Sequence, residues 1–298
     1  MSCRIEKRFA ELRARQRKGL IPFITAGDPL PNASVAIMHA LVDYGADLIE
    51  LGVPYSDPVA DGPTIQHSSE RAIARGVGIE QILGWVREFR ERDVDTPIVL
   101  MGYLNPLEIY GYRRFATEAR DAGVDGVLLV DLPVEESATI AELREVSLRQ
   151  IFLVAPTTTE QRLAAIREQA QGFIYYVSFA GITGADQLDP VAVRQRVELI
   201  KQGSDIPVAV GFGVRDAASA VAVAERADAV VIGSALVARL ATAADREAAL
   251  AAVGGFLAPI RKALDSTSGP QRRAALYSLL RRAALWRRQP QFQESPRT

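Results

Sequence analysis

Residues 207–234 read PVAVGFGVRDAASAVAVAERADAVVIGS. Two short apolar runs, PVAVGFG and DAVVIGS, each end near a glycine and are separated by one helical stretch. Neither run alternates apolar with polar residues. A strand covered on both faces has this continuous pattern, whereas a half-solvated strand alternates. The same unit recurs back along the chain. GLIPFIT (19–25), DLIELG (47–52), PIVLM (97–101), GVLLVD (126–131), QIFLVAP (150–156) and GFIYYVS (172–178) bring the strand candidates to eight. Helical patterns such as 32–44, 160–169 and 191–200 lie between them. Eight strand–helix units in roughly 250 residues predict an α/β fold of the (βα)8 TIM-barrel type. A doubly wound sheet satisfies the periodicity too, but no GxGxxG follows the first strand, so nucleotide binding has no specific support.

Ahead of the first strand, Ile5 to Arg17 reads as an amphipathic N-terminal helix, with Ile5, Phe9 and Leu12 on one side to plug a barrel end. The 298 residues are 48% hydrophobic, enough for one substantial core. We expect a catalytic barrel over 1–265 and a basic, helical C-terminal extension over 266–298. From Gln271 to Thr298 there are seven arginines and one glutamate, in an amphipathic pattern that suits docking on the protein or a partner, a solvated tail, or an anionic surface.

The formal net charge is -1, which argues against a nucleic-acid partner. Cys3 is the single cysteine, so no disulfide forms within the chain. The opening MSCRIEKRF predicts no signal peptide, and the apolar runs are too short for a membrane helix, so a cytoplasmic location is expected. His39 and His67 have no neighbouring cysteine or second histidine, so no zinc site is expected. His39 reads as structural. His67 reads as a residue near the active face without a catalytic part.

Barrel chemistry sits on the loops after the strands. Glu50 lies at the end of the second strand, with the same parity as Gly52 and opposite to Leu51. Pointing into the mouth, it is a carboxyl among apolar groups whose proton affinity burial raises, which suits it to donate and remove protons. A salt-bridged barrel carboxylate is the plainer alternative. Asp61, in VADGP, reads either as an ionised acceptor facing Glu50 or as an Asp-Gly turn former. Three later turns, AGITGAD (180–186), GFG (211–213) and IGSA (232–235), stand at successive strand ends. Their glycines allow backbone N–H groups to approach a phosphate, and a short helix after Gly233 and Ser234 adds favourable polarity.

Taken together and in order, PFITAGDP, IELGVPYSDPVADGPTIQ, MGYLNP, DLPVEE, VAPTT, GFIYYVS with GITGA, VAVGFGV and IGSA resemble the tryptophan synthase alpha subunit family, from about Ile5 to Ala263. The resemblance implies a carbon–carbon lyase of tryptophan biosynthesis that converts indole-3-glycerol phosphate to indole and glyceraldehyde-3-phosphate by retro-aldol cleavage. It also implies Glu50, Asp61 and Tyr175 as catalytic residues. Phe23, Ile65 and Leu100 are then apolar contacts to the indole, and Thr183, Gly184, Gly213, Gly233 and Ser234 substrate- and phosphate-binding positions.

By the same resemblance the chain holds no cofactor of its own. Its partner is a beta subunit carrying pyridoxal phosphate, in an alpha2-beta2 heterotetramer. Pro54, Asp57, Pro58, Asn105 and Pro133 match partner-contact positions. Two features depart from the family pattern: the apolar pair Phe179-Ala180 and the basic extension after Asp265. The rival readings are a stand-alone lyase that releases free indole and a non-catalytic regulatory barrel. No supported Schiff-base lysine or metal cluster favours another barrel chemistry.

Overall fold

Each apolar run is a strand, and every strand pairs in parallel with its neighbours in sequence, in the order β1 to β8. They are β1 (Gly19–Thr25), β2 (Ile49–Gly52), β3 (Ile98–Gly102), β4 (Gly126–Leu129), β5 (Arg149–Val154), β6 (Ile174–Val177), β7 (Val208–Gly211) and β8 (Ala229–Ile232). The pairing of Gly19 with Ala229 closes the barrel. The structure, a computed structural model, describes residues 3–178, 190–211 and 213–267.

Helix α1 (Arg4–Ala14) precedes the barrel. The chain returns between strands through α2 (Ser34–Asp43), α3 (Pro63–Ala74), α4 (Ile79–Arg90), α5 (Leu104–Tyr110), α6 (Tyr112–Ala122) and α7 (Ala141–Glu145). It continues through α8 (Glu160–Gln169), α9 (Pro190–Lys201), α10 (Ala217–Ala224), α11 (Ser234–Leu240) and α12 (Arg246–Ser266). The helical connection from β4 to β5 is divided. A 3-10 turn over Val134–Ile140 precedes the five residues of α7.

Two apolar layers hold this arrangement. Outward residues such as Leu20, Leu51, Leu100 and Val230 pack against the helices. Inward residues, among them Ile21, Leu48, Val99, Leu128, Phe173 and Ala209, form a separate interior cluster that includes Ile5, Phe9 and Leu12 of α1. The amphipathic N-terminal helix therefore plugs the barrel. Its Leu12 lies against the start of β1, where a Cβ on Gly19 would come 3.1 Å from the leucine methyl.

That same end is held by three aspartates. Asp47 accepts the Leu20 N–H at 2.9 Å, Asp125 the Ile98 N–H at 2.9 Å, and Asp228 the Val208 N–H at 2.8 Å. Each stands just ahead of an even-numbered strand and satisfies the amide at the start of the strand before it. Cations complete the ion pairs: Arg17 and Arg261 on Asp47, Arg4 and Arg90 on Asp125, and Lys201 on Asp228. Asp47 and Asp125 are buried with their arginines, and removing one member of such a pair is strongly destabilising because it strands the other charge.

The boundary expected at residue 265 falls in the last turn of α12, where Asp265 pairs with Arg17 at 2.9 Å and Arg261 at 2.6 Å. Most of the extension, residues 268–298, lies outside the described residues, as do Phe179 and Ala180.

Candidate active site

The ladder between strands fixes where Glu50 points. It pairs with Phe23 on β1 and Val99 on β3, and parity along β2 puts Leu48, Glu50 and Gly52 on the inner face. Glu50 is 1% exposed. Neither of its carboxyl oxygens has a hydrogen-bond partner among the described residues. The salt-bridged alternative therefore does not hold there. Burial, reinforced by the nearby charge of Asp61, pushes its pKa from 4.5 up to about 8. At neutral pH Glu50 is mainly a neutral acid, able to give a proton.

Asp61 sits on the loop from β2 to α3. Its backbone does form the turn, with its N–H donating to Pro58 O at 3.0 Å, and Gly62 caps α3. Its carboxylate takes no part in that cap and lines the same cavity as Glu50. Burial raises its pKa to about 6, while a hydrogen bond from the Tyr103 hydroxyl opposes the rise. Near neutrality the two acids therefore stand in different protonation states, one carrying a proton and one a charge.

Tyr175, on β6, closes the site from the far wall. Burial first, then the charges of Glu50 and Asp61, push its pKa well above the ordinary tyrosine range, so it stays neutral. Its ring runs over Gly211 on β7, where a Cβ would lie 2.1 Å from the hydroxyl oxygen. We expect Gly211→Ala to displace Tyr175, destabilise the protein by about 1–3 kcal/mol and lower turnover. Urea unfolding together with steady-state kinetics tests this. An unchanged midpoint and unchanged kcat would contradict the packing.

The cavity occupies about 690 Å³, within the roughly 300–1,000 Å³ of small-molecule sites. Phe23, Ile65, Gly213, Gly233 and Ser234 all line it. Gly213 has φ +74°, a left-handed conformation that favours glycine. Ser234 begins α11 directly after β8, so this part of the wall joins a strand end to a helix start. Thr183 and Gly184 lie outside the described residues.

Leu100 is a correction. It pairs with outward-facing Leu51 and packs in the layer beneath the helices, away from the cavity. Its neighbour Met101 lines the wall instead. Carrying the parity of Glu50 across to β3 would have shown this, since Val99 is Glu50's partner and Met101 shares its face. The sequence reading also passed over Tyr103, Asp131, Leu153, Thr158 and Arg162. The first bonds Asp61, and the other four line the cavity. His67 is exposed outside the cavity, and His39 stacks on Phe89 at 4.7 Å, a structural role.

Among the described residues no cluster of His, Cys, Asp or Glu is placed to hold a metal ion, and no helix is long and apolar enough to cross a membrane. The family profile described as tryptophan synthase alpha chain matches residues 9–263. The chain belongs to that family. It is 60% identical over 264 residues to the tryptophan synthase alpha chain of Xanthomonas oryzae pv. oryzae (strain PXO99A), a match covering 88% of this chain and 98% of the relative. The alpha chain of Xylella fastidiosa (strain M12) is 58% identical with the same coverage.

Among solved structures, tryptophan synthase subunit alpha from Legionella pneumophila superposes with a TM-score of 0.83 at 42% identity, covering 89% of this chain and all of that one. A chain of tryptophan synthase from M. tuberculosis gives 0.77 at 39% identity, covering 88% of this chain and 100% of that one. The alpha chain family is a lyase family that cleaves indole-3-glycerol phosphate, and this chain has that function. Membership also implies a beta-subunit partner. On the exposed rim Asp57, Asn105 and Pro133 are open to such a contact, whereas Pro54 is buried within the chain itself.

Proposed function

We propose that this tryptophan synthase alpha chain splits its substrate through Glu50 and Asp61, with the phosphate anchored by Gly213, Gly233 and Ser234 and by Thr183 and Gly184. Protonated Glu50 delivers its proton to the indole carbon that carries the glycerol chain. The ring becomes a cationic indolenine, and the Asp61 carboxylate accepts a hydrogen bond from its N–H and offsets the charge. Glu50, now ionised, removes the proton of the hydroxyl on the adjoining side-chain carbon. That carbon becomes a carbonyl, the C–C bond breaks, and its electron pair restores the aromatic ring. Indole and glyceraldehyde-3-phosphate leave, and Glu50 has its proton back.

Tyr175 packs beside the reacting carboxyl as a neutral group, while Phe23, Ile65 and Met101 offer apolar surface to the ring. The observation that carries this reading is Glu50 itself: buried, without a partner among the described residues, and held protonated beside an ionisable Asp61. A buried acid without structural bonding is poorly explained by stability and well explained by proton transfer.

The proposal includes an alpha2-beta2 assembly in the cytoplasm, with pyridoxal phosphate held by the beta subunit and none of its chemistry on this chain. Incubation with indole-3-glycerol phosphate, with and without a beta subunit, tests it. Both products should form, and faster with the partner. Because the cycle starts with Glu50 protonated and Asp61 ionised, kcat/KM is expected to be bell-shaped in pH. Its limbs should fall near the values of about 6 and about 8 assigned to these groups. Activity that rises steadily through pH 9 would contradict a protonated Glu50.

A further inference from the structure

Tyr103 follows β3 directly and is 4% exposed. Its hydroxyl oxygen accepts the Ala60 N–H at 3.1 Å, and Tyr103 lines one small cavity with Asp61, where a hydrogen bond from the hydroxyl favours the ionised carboxylate. An amide N–H can only donate, so the oxygen must serve there as acceptor. The hydroxyl's one proton is thereby left for the carboxylate. The ring is held in turn by Tyr55, with centroids 5.1 Å apart and planes at 34°. The next residue, Leu104, donates its N–H to Asp131 at 2.9 Å, which anchors the backbone.

We propose that Tyr103 is a positioning residue for Asp61, its hydroxyl pinned by the Ala60 amide so that its proton holds the carboxylate in one orientation toward the substrate. This rests on the reading of Asp61 given above. The groups that face Asp61 across the site are Glu50 on β2 and Tyr175 on β6, and Asp131 stands beyond Tyr103 after β4. All are neutral or anionic. Arg162, across the cavity, is paired with Glu135 at 2.7 Å. Among the described residues, the Tyr103 hydroxyl is the group that favours the charged form of Asp61 against burial. Burial and the surrounding acids push the Tyr103 pKa up to about 12, so it remains a donor throughout the working range.

Tyr103→Phe removes one oxygen and keeps the stacked ring, and Ala60 is exposed enough for water to take its N–H. The expected result is a folded enzyme with the acid limb moved up by about one pH unit, so that kcat/KM is about twofold lower at pH 7 and about five- to tenfold lower at pH 6 and below. Raising the pH toward 8 should recover most of the loss. The substrate's own phosphate titrates alike in both enzymes, so the comparison isolates Asp61.

A double-mutant cycle supplies the second readout. In an Asp61→Ala background, Tyr103→Phe should have no further effect. An unmoved acid limb, or the same fold-loss in that background, overturns the proposal. If Asp61→Ala alone retains full turnover, the reading of Asp61 fails instead, and the two failures are distinguishable.

Discussion

Glu50→Gln is expected to lower kcat by about 10³- to 10⁴-fold while leaving substrate affinity nearly unchanged. Glutamine matches glutamate in size but can neither give nor regain the proton on which both halves of the cycle depend. The residues proposed to hold the phosphate stand at the ends of β7 and β8 and the start of α11, away from the substitution, so anchoring of the substrate should survive. The variant should also be more stable, by an amount that depends on pH. The folded pKa of Glu50 is raised above the ordinary 4.5 to about 8. Its contribution is therefore most favourable below 4.5 and declines as the pH rises toward 8. Over that window the unfolded chain gains from ionising a group that the fold keeps neutral, at about 1.4 kcal/mol per pH unit.

Replacing Glu50 removes this penalty. Urea midpoints for Glu50→Gln and the parent should nearly coincide at pH 5 and separate by pH 8, with the variant higher. Activity within tenfold of the parent would remove Glu50 from the mechanism. A midpoint gap that does not widen with pH would contradict the buried, protonated carboxyl.

Asp61→Asn should reduce kcat/KM by about 10²- to 10³-fold at neutral pH, the loss typical when one preorganised electrostatic contact to a developing charge is removed. An amide still accepts a hydrogen bond from the indole N–H, but it brings no charge to set against the indolenine cation. Two shifts in the pH profile should accompany the loss. The acid limb near 6 assigned to Asp61 should disappear, since asparagine does not titrate. The alkaline limb should move down, because the charge of Asp61 is the second cause of Glu50's raised pKa. A variant with normal turnover and an intact acid limb would leave Asp61 as a turn residue only. The turn itself is carried by backbone bonds and Gly62, so folding should be preserved.

The resemblance carried the functional reading, and the physical pattern carried the fold independently of it. Eight short apolar runs without polar alternation, each closed by glycine or a polar turn, allow little but a sheet covered on both sides. The amphipathic run at Ile5, Phe9 and Leu12 requires something apolar to cover, and the barrel floor supplies it. Glu50 was visible for a similar reason: a lone carboxyl inside such a run either pays for burial with chemistry or is paired.

Leu100 was misplaced because the signal that sorts residues by face vanishes when both faces are apolar. Val99, Leu100 and Met101 look alike in sequence. The register against β2 turns the first and third inward and the second outward. Tyr103 was passed over because nothing near it in the chain marks it as polar-functional, and the atoms it serves belong to another loop.

Local chemistry along the chain thus determined the strand count, the plug helix, the buried acid and the glycine turns at strand ends, because each depends on a residue and its close neighbours. Closure of the barrel decided the rest. It fixed which wall each apolar side chain faces, placed Asp61 under the hydroxyl of Tyr103, and gave Glu50 and Asp61 different protonation states. Those properties arise from burial and from contacts between distant segments, which exist only once the eight strands have closed into a ring.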